Sequence, residues 1–167
     1  MAKAIKTVKE RSQLQSLLSK TNKGKHLLEQ WIDLDPIYVG DKNSAQYEQS
    51  IHRHLIDSTE RITIDGHWCE FGVREGRSLR WLIDKYPTQI IHAFDSWQGL
   101  PEQWDNGTGN VADMSCDPPA VPTHIQLHKG WFKDTVPTWK QYNQGPIAFL
   151  HMDADIYSST KEVLMSL

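Results

Sequence analysis

Four short apolar runs punctuate the second half of the chain: His67–Val73, Gln89–Phe94, His124–His128 and Ile147–Met152. Each reads as a buried strand, and helical patterns alternate with them. After the first run comes a glycine-bearing turn and then a helix with Leu79, Leu82 and Ile83 on one side, ended by Pro87. After the fourth, a final helix is expected from about Ser159, with Ser159 and Glu162 as a capping box. Strands alternating with helices predict an α/β fold with a parallel sheet. In such sheets ligands sit at the carboxyl ends of the strands, near the switch in strand order. Every residue singled out below falls at a predicted strand end.

The first part of the chain has a different pattern. Leu14, Leu17 and Leu18 make one helical face, Leu27, Leu28, Trp31 and Ile32 a second, and Tyr47, Ile51 and Leu55 a third. The expected organisation is therefore a helical region over residues 1–60 and an α/β domain over 61–167. Between the second and third strands, Ser96–Thr123 is long, irregular and carries four prolines. A loop of that length is a lid, a binding loop or a surface loop. Trp97 and Trp104 are its candidates for closing over a site.

Charge and size exclude several classes. The 167 residues suit about one domain, with a net charge of -3 and a pI near 6.2. That balance argues against nucleic acid or an anionic membrane as a partner held by bulk electrostatics. No apolar run is long enough to span a bilayer, and the basic Met1–Glu10 segment lacks the apolar stretch of a signal peptide. Cys69 and Cys116 have neither metal-type spacing nor the look of a disulfide framework. Reduced thiols in a cytoplasmic protein are the expectation.

The turn after the first strand is Glu70-Phe71-Gly72-Val73-Arg74-Glu75-Gly76. Gly72 permits a bend that a Cβ would obstruct, and Gly76 lets the helix start close to a ligand. Asp95, 19 positions after Gly76, ends the second strand, where a carboxylate suits ribose hydroxyls. The pattern is not the G-x-G-x-x-G of dinucleotide sites. A pyrophosphate prefers bare amides at a helix start, and an acid at Glu70 is awkward beside it. The same acid is tolerable near a sulfonium cation. Read alone, the turn is also compatible with a generic strand-to-helix connection.

His151-Met152-Asp153-Ala154-Asp155 closes the fourth strand. If the chain stays extended, residues 151, 153 and 155 point the same way. Asp153 and Asp155 could then hold a hard cation such as Mg²⁺, lowering the pKa of a substrate hydroxyl, or Asp153 could act as general base. The competing reading is that both acids favour the positive end of the next helix. His151 reads as a packed or hydrogen-bonded histidine.

Two longer strings carry a family likeness. Phe94-Asp95-Ser96-Trp97-Gln98-Gly99-Leu100-Pro101 and Leu150-His151-Met152-Asp153-Ala154-Asp155-Ile156-Tyr157-Ser158-Ser159-Thr160 resemble the macrocin O-methyltransferase family. Gly66–Gly76, His128–Phe132 and Asp134–Pro137 fit the same family, so the resemblance covers about residues 61–167. It implies a Rossmann-like S-adenosylmethionine-dependent methyltransferase fold, and O-methylation of sugar hydroxyls on natural products with Mg²⁺. By that resemblance Glu70, Gly72 and Gly76 line the methionine part of the cofactor. Asp95 holds the ribose, with Ser96 and Trp97 beside the adenosine, and Gly130 and Trp131 approach the adenine. Asp153 becomes a metal ligand and base.

The family continues for three more strands, the next ending in an Asp-Asp pair that completes its metal site. This chain ends at Leu167, so the expectation is a fold truncated after the fourth strand, with an incomplete metal site and an open apolar edge. A homo-oligomer or another partner is one way to cover that edge. The expected function is O-methyl transfer to a small-molecule hydroxyl acceptor. The alternative is a truncated, non-catalytic cofactor-binding or interaction module. A nicotinamide-dependent oxidoreductase fits less well, because the Glu70 spacing is wrong and no Tyr-x-x-x-Lys pair occurs.

Overall fold

A computed structural model describes residues 45–103 and 114–167 of the chain. The helices expected around Leu14–Leu18 and Leu27–Ile32, and Trp104 in the long loop, lie outside the described residues. Two compact units divide the chain, Ala2–Asp57 and Ser58–Leu167. In the first, the described part belongs to helix α1 (Ala45–Glu60), on which Leu55 is buried as its apolar spacing predicts.

In the second unit the order is β1 (His67–Phe71), α2 (Arg77–Lys85), β2 (Ile91–Asp95), β3 (Ile125–Lys129), α3 (Phe132–Tyr142), β4 (Ile147–Met152) and α4 (Tyr157–Ser166). All strand pairs are parallel and the sheet order is β3-β2-β1-β4. The chain steps from β1 outward to β2 and β3, then returns to the opposite side of β1 as β4. The switch in strand order lies between β1 and β4, and it places a crevice at their carboxyl ends.

The sequence explains why the central strands sit in the middle. Trp68, Cys69, Glu70 and Phe71 are all buried, as are Ile91, His92, Ala93 and Phe94, because helices cover both faces. On one face Cys69, Phe71 and Phe94 pack with Val136 and Trp139 of α3 and Val163 of α4. Phe71 stacks on Phe94 at 4.7 Å between ring centroids, and Phe132 meets Phe71 edge-on at 5.7 Å. Burial of each such ring stabilises the fold by roughly 1.5–3 kcal/mol. On the other face Leu79 and Leu82 of α2 are fully buried, and Tyr86 at its end meets Trp68 edge-on. Tyr86 shares a hydrogen bond with Thr59, and Lys85 pairs with Glu60. These contacts hold the last residues of α1, which belong to this unit, against the end of α2.

A row of rings crosses the first face. His67, His92 and His128, on β1, β2 and β3, lie in sequence across the sheet, and Trp139 meets both His67 and His92 at 5.2 Å. His92 and His128 share a hydrogen bond of 3.1 Å.

Three expectations need correction. The last helix begins at Tyr157, not near Ser159; its N-cap is Ile156, which supplies no side-chain bond, and Ser159 is buried within the first turn. The expected capping box is therefore absent. The reason is local: Asp155 turns sharply and the helix starts as soon as Ile156 is buried. Helix α3 is an addition to the sequence reading, because Pro137 interrupts its pattern; the ring occupies an exposed position past the first turn. Finally, Asp155 has φ +56 and Ile156 N donates to Ala154 O, so the chain turns at Asp155 and the extended run expected from 151 to 155 is broken there.

Strand β4 lies at the sheet edge and pairs only with β1 among the described residues. No described helix is long and apolar enough to cross a membrane.

Candidate functional site

The carboxyl ends of the strands are tied together by backbone bonds that continue past the sheet. Gly72 N donates to Phe94 O at 3.0 Å, Asp153 N to Phe71 O at 2.8 Å and Gly130 N to Asp95 O at 2.9 Å. Each sequence-predicted site residue therefore sits at one end of one sheet. Among the described residues, three that are not glycine adopt the left-handed backbone region: Arg74 (φ +49), Trp97 (φ +55) and Asp155 (φ +56). They follow β1, β2 and β4 respectively. Such conformations cost about 1 kcal/mol or more each and persist where the surroundings enforce them, most often at functional sites.

The glycine turn is held from two sides. At Gly72 (φ +88) a Cβ would collide with the carbonyl of Asp153, so only glycine lets β1 pass this close to the end of β4. At Gly76 (φ +75) a Cβ would press on the Pro119 ring at 3.0 Å. Pro119 belongs to the far limb of the long loop, which therefore lies against the start of α2. The two limbs of that loop meet at an antiparallel bridge between Gln98 and Ser115.

Asp95 has a structural role that its place in the sequence does not show. Its Oδ2 accepts from the backbone amides of Val73 and Arg74, each at 2.8 Å, and its Oδ1 from the amide of Trp97 at 2.8 Å. A carboxylate offers about four acceptor sites, so three amides leave room for about one more donor. Trp97 is buried, and its indole Nε1 donates to Arg74 O at 2.9 Å. Ser96 is buried too; its hydroxyl donates to Gly99 O and accepts from Gln98 N. Both side chains thus brace the turn. Trp131 is half-buried at the N-cap of α3, where its carbonyl accepts from the amides of Asp134 and Thr135 and from the Thr135 hydroxyl.

Glu70 is fully buried beneath the turn. Ser78 donates to its Oε1, and His151 Nδ1 lies 3.6 Å from the same oxygen. Glu70 and His151 are register partners on β1 and β4. Glu70 Oε2 and His151 Nδ1 are both buried with no hydrogen-bond partner among the described residues. Burial alone would lower the His151 pKa, but the adjacent Glu70 carboxylate, with the charge of Asp153, outweighs it and raises the value. Such an orphaned carboxylate oxygen is costly unless something completes it.

Asp153 and Asp155 are exposed just past the carboxyl end of β4. Burial of one side of Asp155 and the charge of Asp153 push its carboxyl pKa up, with Asp95 adding and Arg74 opposing. Arg74 itself reaches Glu75 at 3.8 Å. Among the described residues no group of three or more His, Cys, Asp or Glu is placed to hold a metal ion. The two aspartates are at most part of a ligand set.

Comparison with known proteins gives this geometry a family. A family model described as a methyltransferase domain matches residues 69–167, well over half of the 167 residues. No curated protein matches the chain. Among solved structures, it resembles CalS11, a calicheamicin methyltransferase, with a TM-score of 0.58 and 22% identity over 98% of this chain and 74% of that one. It also resembles the apo structure of CalS11, described as a TDP-rhamnose 3'-O-methyltransferase, with a TM-score of 0.51 and 22% identity over 98% and 73%. At this identity the likeness speaks for the fold, a Rossmann-like parallel sheet with flanking helices. The family match covers the glycine turn, Asp95 and the paired aspartates together, and the chain belongs to the methyltransferase-domain family of S-adenosylmethionine-dependent enzymes.

Proposed function

We propose that the chain is an O-methyltransferase acting on a hydroxyl of a small molecule, with a sugar as the acceptor class. The observation that carries this is the pairing, at one switch point, of a cofactor-type turn with two carboxylates that can take a hydroxyl proton. The likeness to a TDP-rhamnose 3'-O-methyltransferase supports the sugar, and the strings around Asp95 and Asp153 support the macrocin O-methyltransferase type.

The residues present fit S-adenosylmethionine. The orphaned Glu70 Oε2 suits a ligand that brings a donor or a positive charge. The remaining acceptor site of Asp95 suits one ribose hydroxyl. Gly72 and Gly76, with Ser96, Trp97, Gly130 and Trp131, form the walls beside them. When bound, the cofactor supplies an electrophilic methyl group. The chain's own residues then have three tasks: to hold the two reactants in line, to exclude water, and to remove a proton. Asp153 or Asp155 accepts that proton from the acceptor hydroxyl as the oxygen gains its methyl group. The raised pKa of Asp155 makes its carboxylate a better base than an ordinary aspartate. Asp153 and Asp155 would be this chain's contribution to a Mg²⁺ site, an incomplete one by themselves.

The test is calorimetric titration with S-adenosylhomocysteine, wild type beside Asp95→Asn. Micromolar binding that the substitution weakens at least about tenfold supports the reading. A folded, monodisperse wild type that binds nothing overturns it. Among the described residues β4 pairs only with β1, and a second reading is a non-catalytic interaction module. Turnover with a panel of sugar acceptors would exclude that reading.

A further inference from the structure

We infer that Glu102 is a positioning residue: through its hydrogen bond with Ser158 it latches the turn bearing Asp153 and Asp155 to the cofactor side of the crevice. This deepens the proposed function and rests on it only for the cofactor-affinity part of the test.

The N-terminus of α4 has no side-chain cap and no acidic residue in its first turn. A helix start of that kind leaves its first amide donors without a side-chain acceptor, although Asp153 and Asp155 precede it in the chain. Glu102, 56 positions earlier in the chain, accepts a hydrogen bond from Ser158 in that first turn. A distant part of the chain is thus tied to the first turn of α4.

The latch also closes a circuit. From Phe71 the chain enters the glycine turn, whose Val73 and Arg74 amides bond to Asp95. Asp95 also accepts from Trp97, and Ser96 donates to Gly99, which fixes the first limb of the loop. Three residues further on, Glu102 reaches Ser158. From there Ile156 N donates to Ala154 O, and Asp153 N returns to Phe71 O. Every other link holds neighbouring strand ends or adjacent residues. Glu102–Ser158 joins the loop limb after Asp95 directly to the helix start beyond the two aspartates. Asp155 sits inside that circuit with φ +56, a conformation that needs its surroundings to enforce it.

Two measurements on the full chain test the latch. Amide hydrogen exchange in the ligand-free protein reads the turn directly. Glu102→Ala should speed exchange of the Thr160 amide, which donates to Ile156 O at the start of α4, about tenfold and leave the amides of β1 and β2 unchanged. The second measurement is S-adenosylhomocysteine affinity for Glu102→Ala, Ser158→Ala and the double variant. Each single change should weaken binding about fivefold, and the double no further, because both remove one link. Glu102→Gln, which keeps an acceptor for Ser158, should recover most of the loss. Unchanged exchange in Glu102→Ala overturns the inference, and so does a double variant whose loss is the product of the singles. A wild type that exchanges as expected but binds no S-adenosylhomocysteine defeats the proposed cofactor and leaves the latch to be decided by exchange alone.

Discussion

Asp95 Oδ2 accepts the backbone amide of Arg74 at 2.8 Å, and in return Trp97, two residues beyond Asp95, donates its indole proton to the carbonyl of Arg74 at 2.9 Å. Both backbone polar groups of Arg74 are therefore held by the end of β2. The glycine turn is not a free loop waiting for a ligand. It is shaped beforehand by the strand next to it, so less ordering is left to be done on binding.

The first prediction concerns that tie. Asp95→Ala removes an acceptor from three backbone amides and should destabilise the domain by about 2–4 kcal/mol, since bonds to charged groups contribute roughly 1.5–3 kcal/mol each and do not add fully. Urea denaturation of the full chain measures it. A change below about 1 kcal/mol would mean that water replaces the carboxylate at little cost.

Gly72 tests how close β1 and β4 must come. Gly72→Ala asks for a left-handed alanine at φ +88 and drives its Cβ into the Asp153 carbonyl. Strain and clash together should cost more than about 3 kcal/mol. Gly145 is the control. It too has a positive φ (+114), but a Cβ there would meet only His67 Nε2, at 4.0 Å, so its change to alanine should lose less. Thermal melts of the two variants decide the point; equal losses would show that backbone strain alone matters and the close approach does not.

Much of this fold is legible in the sequence, because strands of a covered parallel sheet are mostly apolar. Trp68–Phe71, Ile91–Phe94 and Ile147–Met152 are such runs, each with a single polar residue, Glu70, His92 or His151. What the sequence hides depends on distance along the chain. Nothing local to Asp95 says that it will meet Val73, 22 residues before it, rather than a ligand alone. Nothing local to Glu102 names Ser158. Helix α3 does carry a signal, the apolar Phe132, Val136 and Trp139 at helical spacing, but Pro137 masks it. At the Asp153–Asp155 turn, alternation is the wrong rule because a left-handed residue ends the extended chain.

The two thiols should behave differently. Cys69 is fully buried, and burial pushes its pKa up to about 12. Cys116 is partly exposed, with a pKa raised by burial and by the nearby Asp95 and Glu75 charges. Iodoacetamide at neutral pH should therefore modify Cys116 slowly and leave Cys69 intact until the protein unfolds. Peptide mass mapping reads both sites. Early modification of Cys69 would mean that the sheet opens locally far more readily than its packing implies.

The histidine row predicts an acid limit to stability. Burial pushes the His92 pKa down to about 4, and the neighbouring His128 and His67 push it the same way. Unfolded, the same ring titrates near 6.5. The folded state therefore binds the proton less well than the unfolded state. The stability that His92 contributes by staying neutral is complete above about pH 6.5, declines as pH falls below that, and is gone once pH has passed through about 4. The gap between the two values corresponds to roughly 3 kcal/mol lost on full protonation. His128, also lowered by burial, shifts in the same direction. His92→Phe keeps a ring against Trp139 but cannot take a proton, so its unfolding free energy should fall less than that of wild type between pH 6.5 and 4. Parallel denaturation curves across that range are the measurement. If both proteins lose stability with the same slope, the acid sensitivity resides in other groups and the histidine row is only packing.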